Sequence, residues 1–283
     1  MPALLALLDG AFPGLGERAT WSAACGYRWS DVSAPTLILD GDGPITHIGL
    51  LDIPVVIDDQ PALVGGVHAV CTRPDRRKQG YFRQAMTDLL ERIDGRYHAL
   101  VLFTDEPGIY TRFGFRVEPE YATTFDLNAR GTPGRIKRFD VMEAGGPARL
   151  ISMFTGRTPV SNRYGIGPEV PISLFRSPGL SLYRCESLDV LFDMTIDDST
   201  AHLFDVVGSR IPSLDEIAGV LPDTIRSVVC YFLPDRLGHP NSSSAPAEVS
   251  LIEAAGTERL GGDRLMVRGT LPDRIVHPRT GRC

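Results

Sequence analysis

Apolar and polar positions alternate along this chain in short segments of two kinds. Residues 36–40, 46–51 and 53–57 are β-prone runs, separated by turn signals at Gly41-Asp42-Gly43-Pro44 and Asp58-Asp59. Together with the Val- and Ala-rich stretch 62–72 they predict an antiparallel meander. It must stop at Pro74, which has no N–H to continue a ladder. Beyond it the period changes: apolar residues at Phe82, Ala85, Met86, Leu89, Leu90 and Ile93 mark one helix face, predicting a helix over 83–93 that ends at Asp94-Gly95. Residues 97–104 contain the run Ala-Leu-Val-Leu-Phe, which suits a strand buried on both faces. Because it follows a crossover helix, this strand is expected to lie parallel to 62–72.

Before the meander, residues 3–12 read as a short helix and 14–35 as a loop. That loop holds the only two tryptophans, Trp21 and Trp29, as pocket lining or as core packing. After residue 104 comes a helical turn carrying Tyr110 and Phe113, closed by Gly114, with strands at 115–117 and 122–127. Residues 128–148 are rich in Gly, Pro and Arg without a strong period, and the domain junction is placed there. In the second half, 182–184, 190–196, 202–207 and 227–232 read as strands, Val190, Phe192, Met194 and Ile196 sharing one face. Ser213 and Glu216 have the spacing of a capping box opening a helix with Ile217, Val220 and Leu221 inside. A loop at 241–247 precedes strand-like residues 248–254 and a last strand at 265–269. The triplet Asn162, Gly165, Gly167 has the look of a ligand turn, but Pro168 and Pro171 stand where a helix would propagate, and it is discounted.

At 283 residues, 43% of them hydrophobic, the chain is long enough for two cores, and the division expected is 1–130 and 150–283. The net charge of −6 comes from 29 basic and 35 acidic residues scattered along the sequence, which gives no footprint for nucleic acid. The apolar N-terminus lacks a basic flank and is cut short by Asp9, so neither a signal peptide nor a membrane span is expected. Five widely spaced cysteines form no metal or redox motif, so no metal is expected and a reducing cytoplasm fits.

Charge is concentrated at one place, Arg76-Arg77-Lys78-Gln79-Gly80, between the strand and the helix. A helix N-terminus presents unpaired N–H groups and a positive dipole end, and a glycine there lets backbone approach a diphosphate. Taken alone, the turn reads more readily as a solvated basic loop before an ordinary amphipathic helix. The spacing Pro74-x-x-Arg77-x-x-Gly80 after a strand and before a helix, however, resembles motif A of the GCN5-related N-acetyltransferase (GNAT) superfamily, with Phe82 where the family often has Gly or Ala. Tyr110-x-x-x-Gly114-Phe115, about thirty residues on, is similar to motif B. The stretch Ile109-Tyr110-x-Arg112-Phe113-Gly114-Phe115 also resembles Eis-type (enhanced intracellular survival) acetyltransferases.

The resemblance implies a mixed α/β GNAT acyl-CoA N-acyltransferase fold, with a second, degenerate GNAT-like unit. It implies acetyl-CoA as co-substrate, held by Val70, Cys71, Thr72, Arg77, Lys78, Gln79, Gly80, Tyr81, Phe82 and Arg83, with Tyr110 as the acid for the leaving thiolate. A small-molecule amine is the expected acceptor, by direct transfer, and the superfamily also admits a homo-oligomer. The base stays open among Glu106, Asp105 and His68, with the terminal carboxylate of Cys283 as the Eis-type alternative. A ping-pong route through Cys71 is the less favoured mechanism. A non-catalytic CoA sensor and a protein-lysine acetyltransferase are the competing readings.

Overall fold

The computed structural model describes residues 2–127, 131–238, 248–252 and 262–282. The chain opens with helices α1 (Pro2–Ala11), α2 (Leu15–Ala24) and α3 (Trp29–Val32). The stretch expected to be loop over 14–35 is therefore largely helical. Gly14 takes a left-handed conformation ahead of α2, and the Asp9 carboxylate accepts the Gly16 N–H at 3.0 Å. The glycines and serines that suggested a loop thus sit at helix ends or inside a turn: Ser22 is buried and donates to the Tyr27 carbonyl at 2.7 Å.

Strands β1 (Ser33–Asp40), β2 (Gly43–Ile57) and β3 (Gln60–Thr72) form the predicted antiparallel meander. The two runs expected at 46–51 and 53–57 are one strand of 15 residues. The polar residue that divided them, Asp52, is simply an outward position, and its carboxylate pairs with Arg96. Helix α4 (Tyr81–Arg92) crosses to β4 (Ala99–Thr104), which lies parallel to β3 as expected. Ala85, Met86 and Leu89 of α4 pack with Ile48, Leu50, Val67, Leu100 and Leu102 on one face of the sheet. The opposite face carries Leu51, Ile53, Val55, Val64 and Val101.

Strand β5 (Arg116–Val117) belongs to the same sheet, but β6 (Tyr121–Asp126) leaves it for a second one. Then follow β7 (Ile136–Arg138), α5 (Gly146–Thr155), β8 (Tyr164–Ile166) and α6 (Pro171–Arg176). Pro171, read as a helix breaker, is instead in the first turn of α6, where a missing N–H costs nothing. The Glu169 carboxylate takes up the N–H groups of Ile172 and Ser173 at 2.6 and 2.7 Å. Within the discounted Asn162–Gly167 stretch, Tyr164–Ile166 form β8, which pairs with β2.

Strands β9 (Leu182–Cys185), β10 (Val190–Asp197) and β11 (Thr200–Val207), helix α7 (Leu214–Val220), and strands β12 (Ser227–Cys230) and β13 (Glu248–Leu251) build the second sheet, in the order β13-β6-β12-β11-β10-β9-β7. Ser213 and Glu216 form the predicted capping box. The loop expected at 241–247 lies outside the described residues.

Strand β14 (Arg264–Gly269), expected to close the second half, instead enters the first sheet. That sheet runs β1-β2-β3-β4-β14-β5, with β8 against β2. Strand β14 is antiparallel to both β4 and β5. The residues after it are anchored from the second sheet: Arg279 pairs with Asp193, Thr280 donates to Asp205, and Arg157 grips Asp205 through two bonds of 2.9 and 3.0 Å. Arg282 pairs with the buried Glu120. Among the described residues no helix is long and apolar enough to cross a membrane.

Candidate active site

Strands β3 and β4 pair only over Val64–Ala99, Gly65–Leu100 and Gly66–Val101. Beyond that they splay. The cause lies in β3, where four residues, His68 to Cys71, span the distance that three, His47 to Gly49, cover on β2. This is a β-bulge, and its backbone turns at Ala69, which has φ of +48°. The imidazole of His47 fixes it, donating from Nδ1 to the Ala69 carbonyl at 2.8 Å. On its other edge β4 stays paired with β14 along its whole length, Ala99–Thr104.

The splay opens a cavity of about 390 Å³, walled by Val67 to Val70 on one side and Leu102 to Glu106 on the other. A wider depression of about 790 Å³ against Arg135, Lys137, Arg138 and Arg149 shares no residue with it.

At the end of β3 the chain makes a 3-10 turn, Pro74–Arg76, and enters α4 through Lys78 and Gly80, at φ of +62° and +91°. Gly80 is the N-cap, and it leaves the first turn of α4 without a side-chain cap. A Cβ at Gly80 would meet nothing within 4 Å, so the space beside Gly80 is open. Arg77 is held against the strand end, its Nε donating to the Thr72 carbonyl at 3.2 Å. Gln79 donates to the Asp75 carbonyl at 3.3 Å, while Arg73 and Arg76 are occupied by Asp40 and Asp75. Lys78 and Arg83 are exposed and Tyr81 is half-buried. Phe82 turns inward, edge-on to Tyr110 at 5.7 Å and to Phe113 at 5.5 Å, and so ties the helix start to the turn that carries Tyr110. That contact explains a bulky residue where the motif often has a small one.

Tyr110 is 6% exposed and lines the cavity. Among the described residues no hydrogen bond engages its hydroxyl. Burial first, then the negative charges of Glu106 and Asp105, push the phenol well above its ordinary pKa, so it stays protonated. Val70 lines the same cavity, whereas Cys71 and Thr72 face elsewhere: the Cys71 thiol is buried and pushed up to about 11, mainly by desolvation, and the Thr72 hydroxyl meets that of Thr46 at 3.0 Å. A thiol so protonated is a poor nucleophile.

Of the three base candidates, Asp105 and Glu106 are exposed at the cavity rim. His68 is buried, bonded to the Ser33 hydroxyl at 2.8 Å and pushed down to about 3 by burial and by His47. It is a neutral wall residue at any working pH. Cys283 lies outside the described residues.

The structure also brings in residues that sequence reasoning did not name. Asp263 immediately precedes β14, and the pairing of Arg264 with Thr104 sets it across from Asp105. It lines the cavity, half-buried, and its carboxyl is raised above the usual range by burial and then by Asp105, against the opposing pull of Arg282 and Arg176. Helices α2, α3 and α6 contribute Arg18, Trp29, Ile172, Phe175 and Arg176. Of the two tryptophans weighed as pocket lining, Trp29 is in the wall, and Trp21 packs in a separate cluster with Val141, Leu150 and Phe154.

Against protein-family models, residues 3–117 match the acetyltransferase (GNAT) domain, and the match spans the meander, the basic turn, the splay and the Tyr110 turn. Residues 3–117 are a GNAT acetyltransferase domain. A GCN5-related N-acetyltransferase from Kribbella flavida has the same fold, at 16% identity and a TM-score of 0.50, over 93% of this chain and 67% of that one. Eis1 from Mycobacterium abscessus aligns at 15% identity and a TM-score of 0.46, over 82% of this chain and 63% of its own. A GNAT family N-acetyltransferase from Escherichia coli, solved in complex with CoA, aligns at 23% identity and a TM-score of 0.34, over 41% of this chain and 63% of its own. The chain thus spans about two thirds of the length of these solved structures. No curated protein matches it. The GNAT domain belongs to an acetyl-CoA-dependent transferase family, and the second mixed sheet lies beyond its matched residues.

Proposed function

We propose that the protein transfers an acetyl group from acetyl-CoA directly to the primary amine of a small molecule. Residues 1–130 would form the catalytic unit and 150–283 a degenerate GNAT-like unit that returns β14 to the first sheet. One observation carries the reading: the splay between β3 and β4 runs from an uncapped, open helix N-terminus to an unpartnered, protonated Tyr110.

The amides at the start of α4, with Arg77, Lys78 and Arg83 near them, would hold the donor's diphosphate. The freed edge of β3 at Val70–Thr72 would take the pantetheine arm as an added strand. Acetyl-CoA supplies an acetyl thioester. Asp263 accepts a proton from the acceptor's ammonium, its raised carboxyl pKa bringing it nearer the amine than an ordinary aspartate. The neutral amine nitrogen then bonds to the thioester carbon, the carbon–sulfur bond breaks, Tyr110 donates its proton to the sulfur, and the second proton that the nitrogen sheds returns to the Tyr110 phenolate through solvent. A phenol suits this role because its pKa lies above that of a thiol, about 8.5. Direct transfer agrees with the protonated, buried Cys71 thiol.

The test is calorimetric titration with acetyl-CoA, comparing the protein with an Arg77→Glu, Gly80→Glu double variant. Saturable binding that the variant loses supports the cradle. An absence of binding in the unaltered protein refutes the proposal, and binding with no CoA release on any amine or lysine peptide would make the protein a sensor.

A further inference from the structure

Resting on that reading, the cavity's own chemistry narrows the acceptor. Three acids and three arginines line it: Asp105, Glu106 and Asp263 against Arg18, Arg176 and Arg282. The charges balance, so the cavity is not the acidic pocket that a polycationic amine requires. The two signs are also on different elements. The acids gather at the end of β4 and the start of β14, beside Tyr110, where the reacting amine belongs. Arg282 is spent on the buried Glu120 and lies over the Phe103 ring at 4.4 Å. The side chain of Arg18, on α2, forms neither a hydrogen bond nor an ion pair among the described residues. Its guanidinium lies over the Phe175 ring at 5.3 Å.

Between these ends the wall is flat and apolar. Trp29 and Phe175 stack at 4.1 Å with 28° between their planes, and Phe12, Leu15 and Ile172 surround them. Trp29 and His68 meet edge to face, 5.3 Å between ring centroids. Phe175 is covered by Trp29 and by Arg18, so the half-buried Trp29 ring and its apolar neighbours are what a planar guest would lie against. Size adds a limit, since about 390 Å³ must also admit the acetylated end of the donor.

We infer that the acceptor is a compact zwitterion with an aromatic body, its amine at the Asp105, Glu106 and Asp263 end and its carboxylate at Arg18. An uncharged-tail analogue of such a molecule would leave Arg18 without a partner, and a polycation would set positive charge against it. One charge-assisted hydrogen bond contributes about 1.5–3 kcal/mol, so the carboxylate is expected to raise kcat/KM by roughly tenfold to a hundredfold.

The experiment uses the full chain with saturating acetyl-CoA. Thiol release and product mass are followed for 4-(aminomethyl)benzoate and 4-(2-aminoethyl)benzoate, whose amine and carboxylate lie at opposite ends of the ring. Benzylamine and phenethylamine serve as partners lacking the carboxylate, and spermidine and kanamycin as polycations. At least one carboxylate-bearing amine is expected to exceed its partner about tenfold or more. That ratio should collapse towards one in Arg18→Gln and recover in part in Arg18→Lys, with acetyl-CoA affinity as the folding control. Equal or better turnover of the partners or polycations would overturn the inference, as would acetyl-CoA binding without turnover of any carboxylate-bearing amine. Failure to bind acetyl-CoA at all would instead remove the acetyltransferase reading beneath it.

Discussion

Gly49 connects the fold to the cavity wall, and Gly49→Ala shows how tightly. In the β2–β3 ladder Gly49 faces His68, and a Cβ at that position would lie 2.6 Å from Cε1 and 2.8 Å from Cδ2 of the imidazole, and closer still to Nε2. Contacts this short do not persist, and the neighbouring backbone is locked in a sheet, so the ring must move. Overpacking of this kind costs about 1–3 kcal/mol. The moved ring also loses its 2.8 Å bond to the buried Ser33 hydroxyl, and unsatisfied buried groups cost about 1–3 kcal/mol more. A total near 3 kcal/mol would lower the melting temperature by about 6–12 °C in a chain of this size. The assay is chemical denaturation of Gly49→Ala, His68→Ala and the double variant. If the ring is the obstacle, Gly49→Ala costs little once His68 is already alanine. Equal cost in both backgrounds would refute the argument, because the penalty would then come from strand backbone and not from the imidazole.

Three further outcomes are expected. Tyr110→Phe should lower kcat by about a hundredfold or more while leaving acetyl-CoA affinity unchanged; turnover within about threefold of the parent would remove Tyr110 as the acid. Asp205→Ala strands Arg157, whose side chain is fully buried, and should cost about 3–5 kcal/mol in a denaturant melt. Replacing Arg157 by Met and Asp205 by Leu together should recover much of that loss. His68 and His277 are both pushed down to about 3 in the folded chain against an ordinary value of about 6.5. The unfolded chain therefore binds more protons over that interval, and stability is full above about pH 6.5 and falls as pH drops. Each histidine contributes up to about 1.4 kcal/mol per pH unit, so His68→Gln should flatten the stability profile between pH 6 and 4 by that slope; an unchanged slope would mean that His68 is already charged.

The halves of the site differ in how far they can be read from sequence, and the reason is physical. The donor side is one continuous stretch from the end of β3 to the start of α4, so its signals are local: alternation, a proline stop, a basic turn, a glycine at φ of +91°, a 3.6-residue period. Its turning point, the bulge at Ala69, was hidden, because alanine carries no mark of positive φ and the bulge is fixed by His47 on another strand. The helices over 15–32 were missed for a related reason: their glycine and serine content mimics a loop until Asp9 and the Tyr27 carbonyl supply the bonds that hold them. The acceptor side has no local signal at all. Asp263 reaches the cavity only because β14 pairs with β4 across more than half the chain, and Arg18, Trp29 and Phe175 converge from three separate helices. A chain can therefore keep a donor cradle recognisable in a few residues and still vary the acceptor through distant ones. The same asymmetry separates the matched residues, which end at 117, from the carboxylate proposed to take the acceptor's proton, which comes from residue 263.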